Sequence, residues 1–262
     1  MNSKNPILIT SAGTAVGILG GLIGLGGAEF RLPLLISVFG YSALPAVILN
    51  KAMSLAVVSS ALPFRASTVP FQDLLTHSNV ILTLLAGSLL GAWFGADWAT
   101  KLKSHTLYRI LSMLMVAIAF VLVFGHDSSA SSGLPLTGLP LAIIGASAGF
   151  GIGVVASLMG VAGGELLIPT IVLLFGVDIK LAGSLSLAVS LPTMIVGFTR
   201  YSRDQSFSVI STERYFVAFM VAGSLLGAFV GSKLLGIIPT SILLPLLAGI
   251  LLISAAKVWN HA

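Results

Sequence analysis

The chain reads as an all-α polytopic membrane protein built from two inverted-topology repeats, and three observations carry that reading. Of its 262 residues, 56% are hydrophobic and only 8% are charged, whereas a soluble domain carries roughly 25% charged residues. So little charge cannot cover a water-facing surface. One glycine-rich, glutamate-bearing element occurs twice, as GLGGAEFRLP at 24–33 and GVAGGELLIP at 160–169. Finally, the loop cations fall on different connections in the two halves, which bears on how the halves are oriented.

The two elements align without a gap at an offset of 160 − 24 = 136, which also pairs Glu29 with Glu165 and Phe39-Gly40 with Phe175-Gly176. The same offset returns at 86–92, where AGSLLGA is repeated letter for letter at 222–228, with Gly95 matching Gly231. The first repeat, 1–125, then holds segments at about 6–25, 29–39, 46–64, 80–100 and 106–125. The second, 139–262, repeats them at about 139–159, 165–175, 181–199, 214–232 and 240–258. Runs such as 80–96 and 107–124 approach the ~30 Å hydrocarbon core at ~1.5 Å per helical residue. The segment behind Lys4 has the charged start of a signal peptide. Its copy lies mid-chain, so the first is read as a retained membrane segment. Between the halves, 126–138 is rich in Ser and Gly and predicts an extramembrane linker. The repeats form one integrated transmembrane domain of about 8–10 segments.

Loop charge orients the halves. The connection around 97–109 carries Lys101, Lys103 and Arg109, but its counterpart near 233–241 has only Lys233. One connection earlier the bias reverses: Arg200, Arg203 and Arg214 crowd the second half, and Arg65 is offset by Asp73 in the first. By the positive-inside rule, equivalent loops face opposite sides, so the copies are inverted and each crosses an odd number of times. Five crossings satisfy this, as do three crossings plus a hairpin made by the first two segments. Both termini, Lys257, and the Lys101 and Arg200 loops are expected inside, and the linker outside.

The segments 29–39 and 165–175 are too short to span alone, and Gly26, Gly27, Gly163 and Gly164 sit at their starts. Glycine permits close backbone approach and positive φ, and a proline inside removes a donor, so each helix is expected to break at membrane depth. A break exposes amide groups at a positive helix end, which suits an anion. Paired breaks are the strongest sequence pointer to a transporter's binding site. For Gly87, Gly91, Gly95 and their copies, tight helix packing is the expected role. Glu29 and Glu165 are intramembrane acids, costly unless partnered or used, and are the candidate proton carriers. The alternatives are a structural ion pair of Glu29 with Arg31, or two hydrated acids near an interface.

Arg31 and Lys51 lack cationic counterparts: Leu167 stands at the 136 offset, and Gly183 at the 132 offset shared by SLAV at 54–57 and 186–189. A planar guanidinium and a point-charge ammonium suit an oxyanion, although Lys51 would also snorkel from a loop end. Asn50, Ser54, Ser184 and Ser186 complete the candidate substrate contacts, with self-bonding to backbone as the alternative for the serines. Trp93, Trp98 and Trp259 read as interfacial anchors. The four histidines are scattered singly and the chain has no cysteine, so no metal pair, thiolate site or nucleophile with an adjacent base is visible. No enzyme, cofactor, catalytic residue or nucleic-acid partner is expected, and no phosphate loop for ATP hydrolysis is present.

The duplicated glycine elements, GLGGA at 24–28 and GVAGG at 160–164, the SLAV copies, the run Ala28-Glu29-Phe30-Arg31-Leu32-Pro33 and the following Asn50-Lys51-Ala52-Met53-Ser54 resemble the sulfite exporter TauE/SafE (TSUP) family. The resemblance covers essentially the whole chain. It implies a multi-pass protein of a prokaryotic plasma or inner membrane that moves sulfite, sulfoacetate or a related organosulfonate, typically outward. Its partners would be that anion and the bilayer, with oligomeric state open and a homodimer one option. Ala28 replaces a glycine of the usual triple-glycine form, which leaves the substrate open. A passive anion channel and a membrane subunit that needs a partner are the rival readings.

Overall fold

The computed structural model describes residues 5–23, 27–66, 71–124, 137–234 and 240–261. Twelve α-helices are present among them: α1 (Pro6–Ile23), α2 (Ala28–Ser37), α3 (Ala43–Ala66), α4 (Phe71–Thr76), α5 (Ser78–Lys101), α6 (Ser104–Phe124), α7 (Leu139–Met159), α8 (Gly164–Phe175), α9 (Ile179–Tyr201), α10 (Val209–Thr212), α11 (Arg214–Leu234) and α12 (Thr240–Trp259). Six of these, α3, α5, α6, α7, α9 and α11, are long and apolar enough to cross a membrane. Shorter apolar helices lie at Pro6–Leu22, Gly164–Phe175 and Pro245–Trp259. The chain is a polytopic membrane protein. All ten predicted segments are helices with ends within a few residues of expectation, while α4, α10 and a 3-10 turn at Gln205–Ser208 lie in the connections. The predicted linker falls outside the described residues except for 137–138.

The largest helix interfaces are α1 with α11 and α5 with α7, and glycines make both. A Cβ added at Gly13, Gly17 or Gly21 would strike the backbone of Met220, Ser224 or Ala228, and one at Gly223, Gly227 or Gly231 would strike the carbonyl of Thr10, Thr14 or Ile18. The second interface repeats five of these six contacts, Ser157 standing where Gly21 does. Gly149 and Gly153 abut Leu84 and Ser88, while Gly87, Gly91 and Gly95 abut Ala146, Phe150 and Val154. Shifting each partner by 136, in opposite senses, turns one interface into the other: Gly13 with Met220 becomes Gly149 with Leu84. The expected packing role for Gly87, Gly91, Gly95 and their copies is therefore what is seen. Residue numbers rise together in both helices of each pair, so α1 runs parallel to α11 and α5 parallel to α7. Such small-residue faces let backbones approach where lipid provides no hydrophobic drive to associate. The equivalent helices α6 and α12 pack on each other.

The short helices double back. Gly27 abuts Val16 and Gly20 of α1, whereas Phe39 and Tyr41, beyond the other end of α2, pack edge-on against Phe216 with centroids 4.9 and 5.4 Å away. Phe216 lies in the first turn of α11, which runs parallel to α1. Thus α2 starts at mid-height of α1 and returns to the side from which α1 set out, as a hairpin.

The C-terminal ends of α5 and α9 meet where Asp97 takes both Arg200, through Nε at 3.0 Å and Nη2, and Lys101 at 2.5 Å. Arg203 stacks over Trp93 at 5.0 Å, and Arg109, at the start of α6, over Trp259 at 5.6 Å. These contacts gather Lys101, Arg200 and Arg203 at the C-terminal ends of α5 and α9, and set Arg109 at the start of α6 against the end of α12.

Candidate functional site

Both glycine breaks are formed, and both use the left-handed region. Gly27 (φ 72°) caps α2 and Gly163 (φ 80°) caps α8, while Gly160 (φ 67°) ends α7. A side chain at these angles would be strained. Gly27 and Gly163 also sit in equivalent pockets, against Val16 and Gly20 in one case and Ile152 and Ala156 in the other. Gly26 lies outside the described residues. Gly164 opens α8, and the amides of Phe30 and Arg31 return to Gly27 O as those of Leu166 and Leu167 return to Gly163 O. The amides that precede them in each first turn have no helical acceptor, and the positive helix ends lie with them. Pro33 and Pro169 stand at the sixth position of their helices. Each lacks the N–H that would have bonded the carbonyl four residues back, on Glu29 and on Glu165.

The breaks come together. Asn50, fully buried on α3, donates through Nδ2 to Ala28 O and to Met159 O, both at 3.0 Å. One side chain therefore ties the first residue of α2 to the last residue of α7 in the other half. The carboxyl of Glu165 lies beside that of Glu29; both residues are buried, at 5% and 2% exposure. The Glu165 carboxyl is within reach of the Glu29 carboxyl and of its own backbone amide, and Glu29 Oε1 is buried without a donor among the described residues. Arg31, one turn into α2, is fully buried with Glu29 as its electrostatic neighbour. Lys51 is also fully buried, not at an interface, and donates through Nζ to Ala156 O at 3.2 Å and Val161 O at 3.3 Å.

The serines divide. Ser186 bonds Gly183 O at 2.9 Å, the self-satisfying alternative, whereas the hydroxyls of Ser54 and Ser184 are buried without a partner among the described residues. Ser157 and Ser190 belong with them and escaped sequence reasoning. Ser190 could have been found, because it stands 136 residues after Ser54. Tyr201 was also missed; fully buried at the end of α9, it donates to Ser157 O at 2.9 Å. Its contact crosses 44 residues of sequence and leaves no local signal. Among the described residues no group of three or more His, Cys, Asp or Glu could hold a metal ion.

The site is thus a buried polar centre between two broken elements, with a guanidinium, an ammonium, two adjoining carboxyls and unpartnered hydroxyls. No curated protein and no solved structure matches the chain. The family model for sulfite exporter TauE/SafE matches residues 9–258, nearly the whole chain. The chain belongs to the sulfite exporter TauE/SafE family.

Proposed function

We propose that this protein is a secondary transporter that exports a small sulfur-containing anion, sulfite or an organosulfonate such as sulfoacetate, through the centre between α2 and α8. Family membership supports a membrane transporter of the anion-exporter type. The observation that carries the site is the convergence of both breaks on Asn50, beside buried Arg31. Buried charges without function are costly, and an intramembrane guanidinium marks a pathway or a partner. In this reading Arg31 neutralises the anion, first-turn amides of α2 and α8 coordinate it, and the Ser54, Ser184 and Ser190 hydroxyls supply neutral hydrogen bonds. Lys51 contributes positive potential without direct coordination, since its ammonium is engaged by two carbonyls.

Two adjoining buried carboxyls cannot both be ionised at acceptable cost. Glu29 and Glu165 would therefore hold one proton between them, and its release to one side of the membrane would couple anion movement to the proton gradient. The halves are read as inverted copies. The reciprocal α1–α11 and α5–α7 interfaces support a two-fold relation, and the cations at the ends of α5 and α9 and beside the end of α12 support a cytoplasmic location for both chain ends.

Arg31→Gln tests the anion contact. In proteoliposomes its sulfite flux should fall at least tenfold while the chain elutes and melts like the parent, with Arg31→Lys retaining part of the flux. A folded Arg31→Gln that transports at the parental rate removes Arg31 from the site.

A further inference from the structure

The end of α7 carries a charge in an unusual place. A helix C-terminus leaves carbonyls without helical donors and gathers the negative end of the dipole. At α7 the left-handed Gly160 ends the helix, and Lys51 Nζ sits between Ala156 O, which also accepts the amides of Gly160 and Val161, and Val161 O just beyond the helix, at 3.2 and 3.3 Å. A third oxygen adjoins. A Cβ built at Gly197 would meet Ser157 Oγ at 2.8 Å, Lys51 Cε at 3.2 Å and Nζ at 3.4 Å, and Ser157 Oγ is buried with no partner among the described residues. Asn50 takes Met159 O beside them.

Carbonyl and hydroxyl oxygens gathered at a broken helix's C-terminal end are the donor set that binds an alkali cation in broken-helix transporters. Here the protein's own ammonium fills that position. The ammonium reaches this seat from α3 in the other half, across 105 and 110 residues of sequence. The second half offers no equivalent cation, because Leu187 stands 136 residues after Lys51.

We propose that Lys51 is a resident cation in a seat that Na+ would otherwise occupy. The protein therefore needs no alkali cation, and removing the ammonium opens a monovalent-cation site at the end of α7. The consequence for coupling rests on the transporter reading, but the seat does not.

The test is the unfolding midpoint of the purified full chain, followed by tryptophan fluorescence in sodium chloride and in choline chloride at equal ionic strength. The parent should melt at the same temperature in both. Lys51→Ala should melt lower than the parent in choline and recover by several degrees, saturably, as Na+ replaces it. If Lys51→Ala does not fold, Lys51→Gln is read by the same criterion, because its amide keeps N–H donors while giving up the charge. Stabilisation of the parent by Na+ over choline overturns the proposal, and so does a folded Lys51 variant whose midpoint is indifferent to the cation. No flux enters this readout, so it fails or succeeds independently of the transport assignment.

Discussion

Gly91→Ala tests whether the glycine ladders set the helix spacing. The added Cβ would fall onto Phe150 O, a backbone atom of α7 that no rotamer change can move. The helices must separate instead, and insertion of one methyl into a closed interface costs about 1–3 kcal/mol. At about 2–4 °C per kcal/mol for a chain of this size, the midpoint should drop by roughly 2–12 °C. The reciprocal interface supplies a built-in replicate. Gly227 meets Thr14 O as Gly91 meets Phe150 O, so Gly227→Ala should cost about the same and the double variant about the sum. Gly151 is the control: it lies in α7 with open space where a Cβ would go, so Gly151→Ala should be neutral or stabilising by about 0.5–1 kcal/mol. Differential scanning fluorimetry in one detergent reads all four variants. Equal midpoints for Gly91→Ala and Gly151→Ala would refute the claim that close backbone contact requires these glycines.

Three further outcomes follow from the site. Asn50→Ala removes the donor shared by Ala28 O and Met159 O; loss of about 1–3 kcal/mol should appear as a lower midpoint, and an unchanged midpoint would deny Asn50 its bridging role. Tyr201→Phe leaves Ser157 O its bond from Gly160 N at 3.1 Å, so the loss should be only about 0.5–1.5 kcal/mol, measured the same way; a larger loss would mean that the hydroxyl holds more than this carbonyl. Glu29→Gln and Glu165→Gln should each keep the fold yet abolish the response of anion flux to a pH gradient, and a variant that retains the full response rules its residue out as proton carrier.

Much of this architecture was legible because its signals are local or periodic. The duplicated glycine elements announced both breaks, and the 136 offset announced that the breaks correspond, which is why Glu29 and Glu165 could be paired before being placed together. The start of α3 was less legible. Pro45 reads as a breaker, yet it lies in the first turn, where its missing N–H would have had no helical acceptor. The helix accordingly begins at Ala43, earlier than expected. Helices of six and four residues, α4 and α10, are too short to show a period. The role of Lys51 was hidden for a different reason. Its carbonyl partners belong to the other half, and nothing within its own segment distinguishes a cation aimed at a substrate from one aimed at a helix end.

The central claim is a saturable anion transporter whose turnover follows protons. Its most direct test is flux into and out of proteoliposomes containing only this chain, comparing sulfite, sulfoacetate, sulfate and chloride with and without an imposed pH gradient. The account predicts saturable flux of sulfite or sulfoacetate, well above chloride and sulfate, driven by the gradient. Flux that is unsaturable and indifferent to both the anion and the gradient would contradict it in favour of a channel, and none above protein-free vesicles would contradict transport by this chain alone.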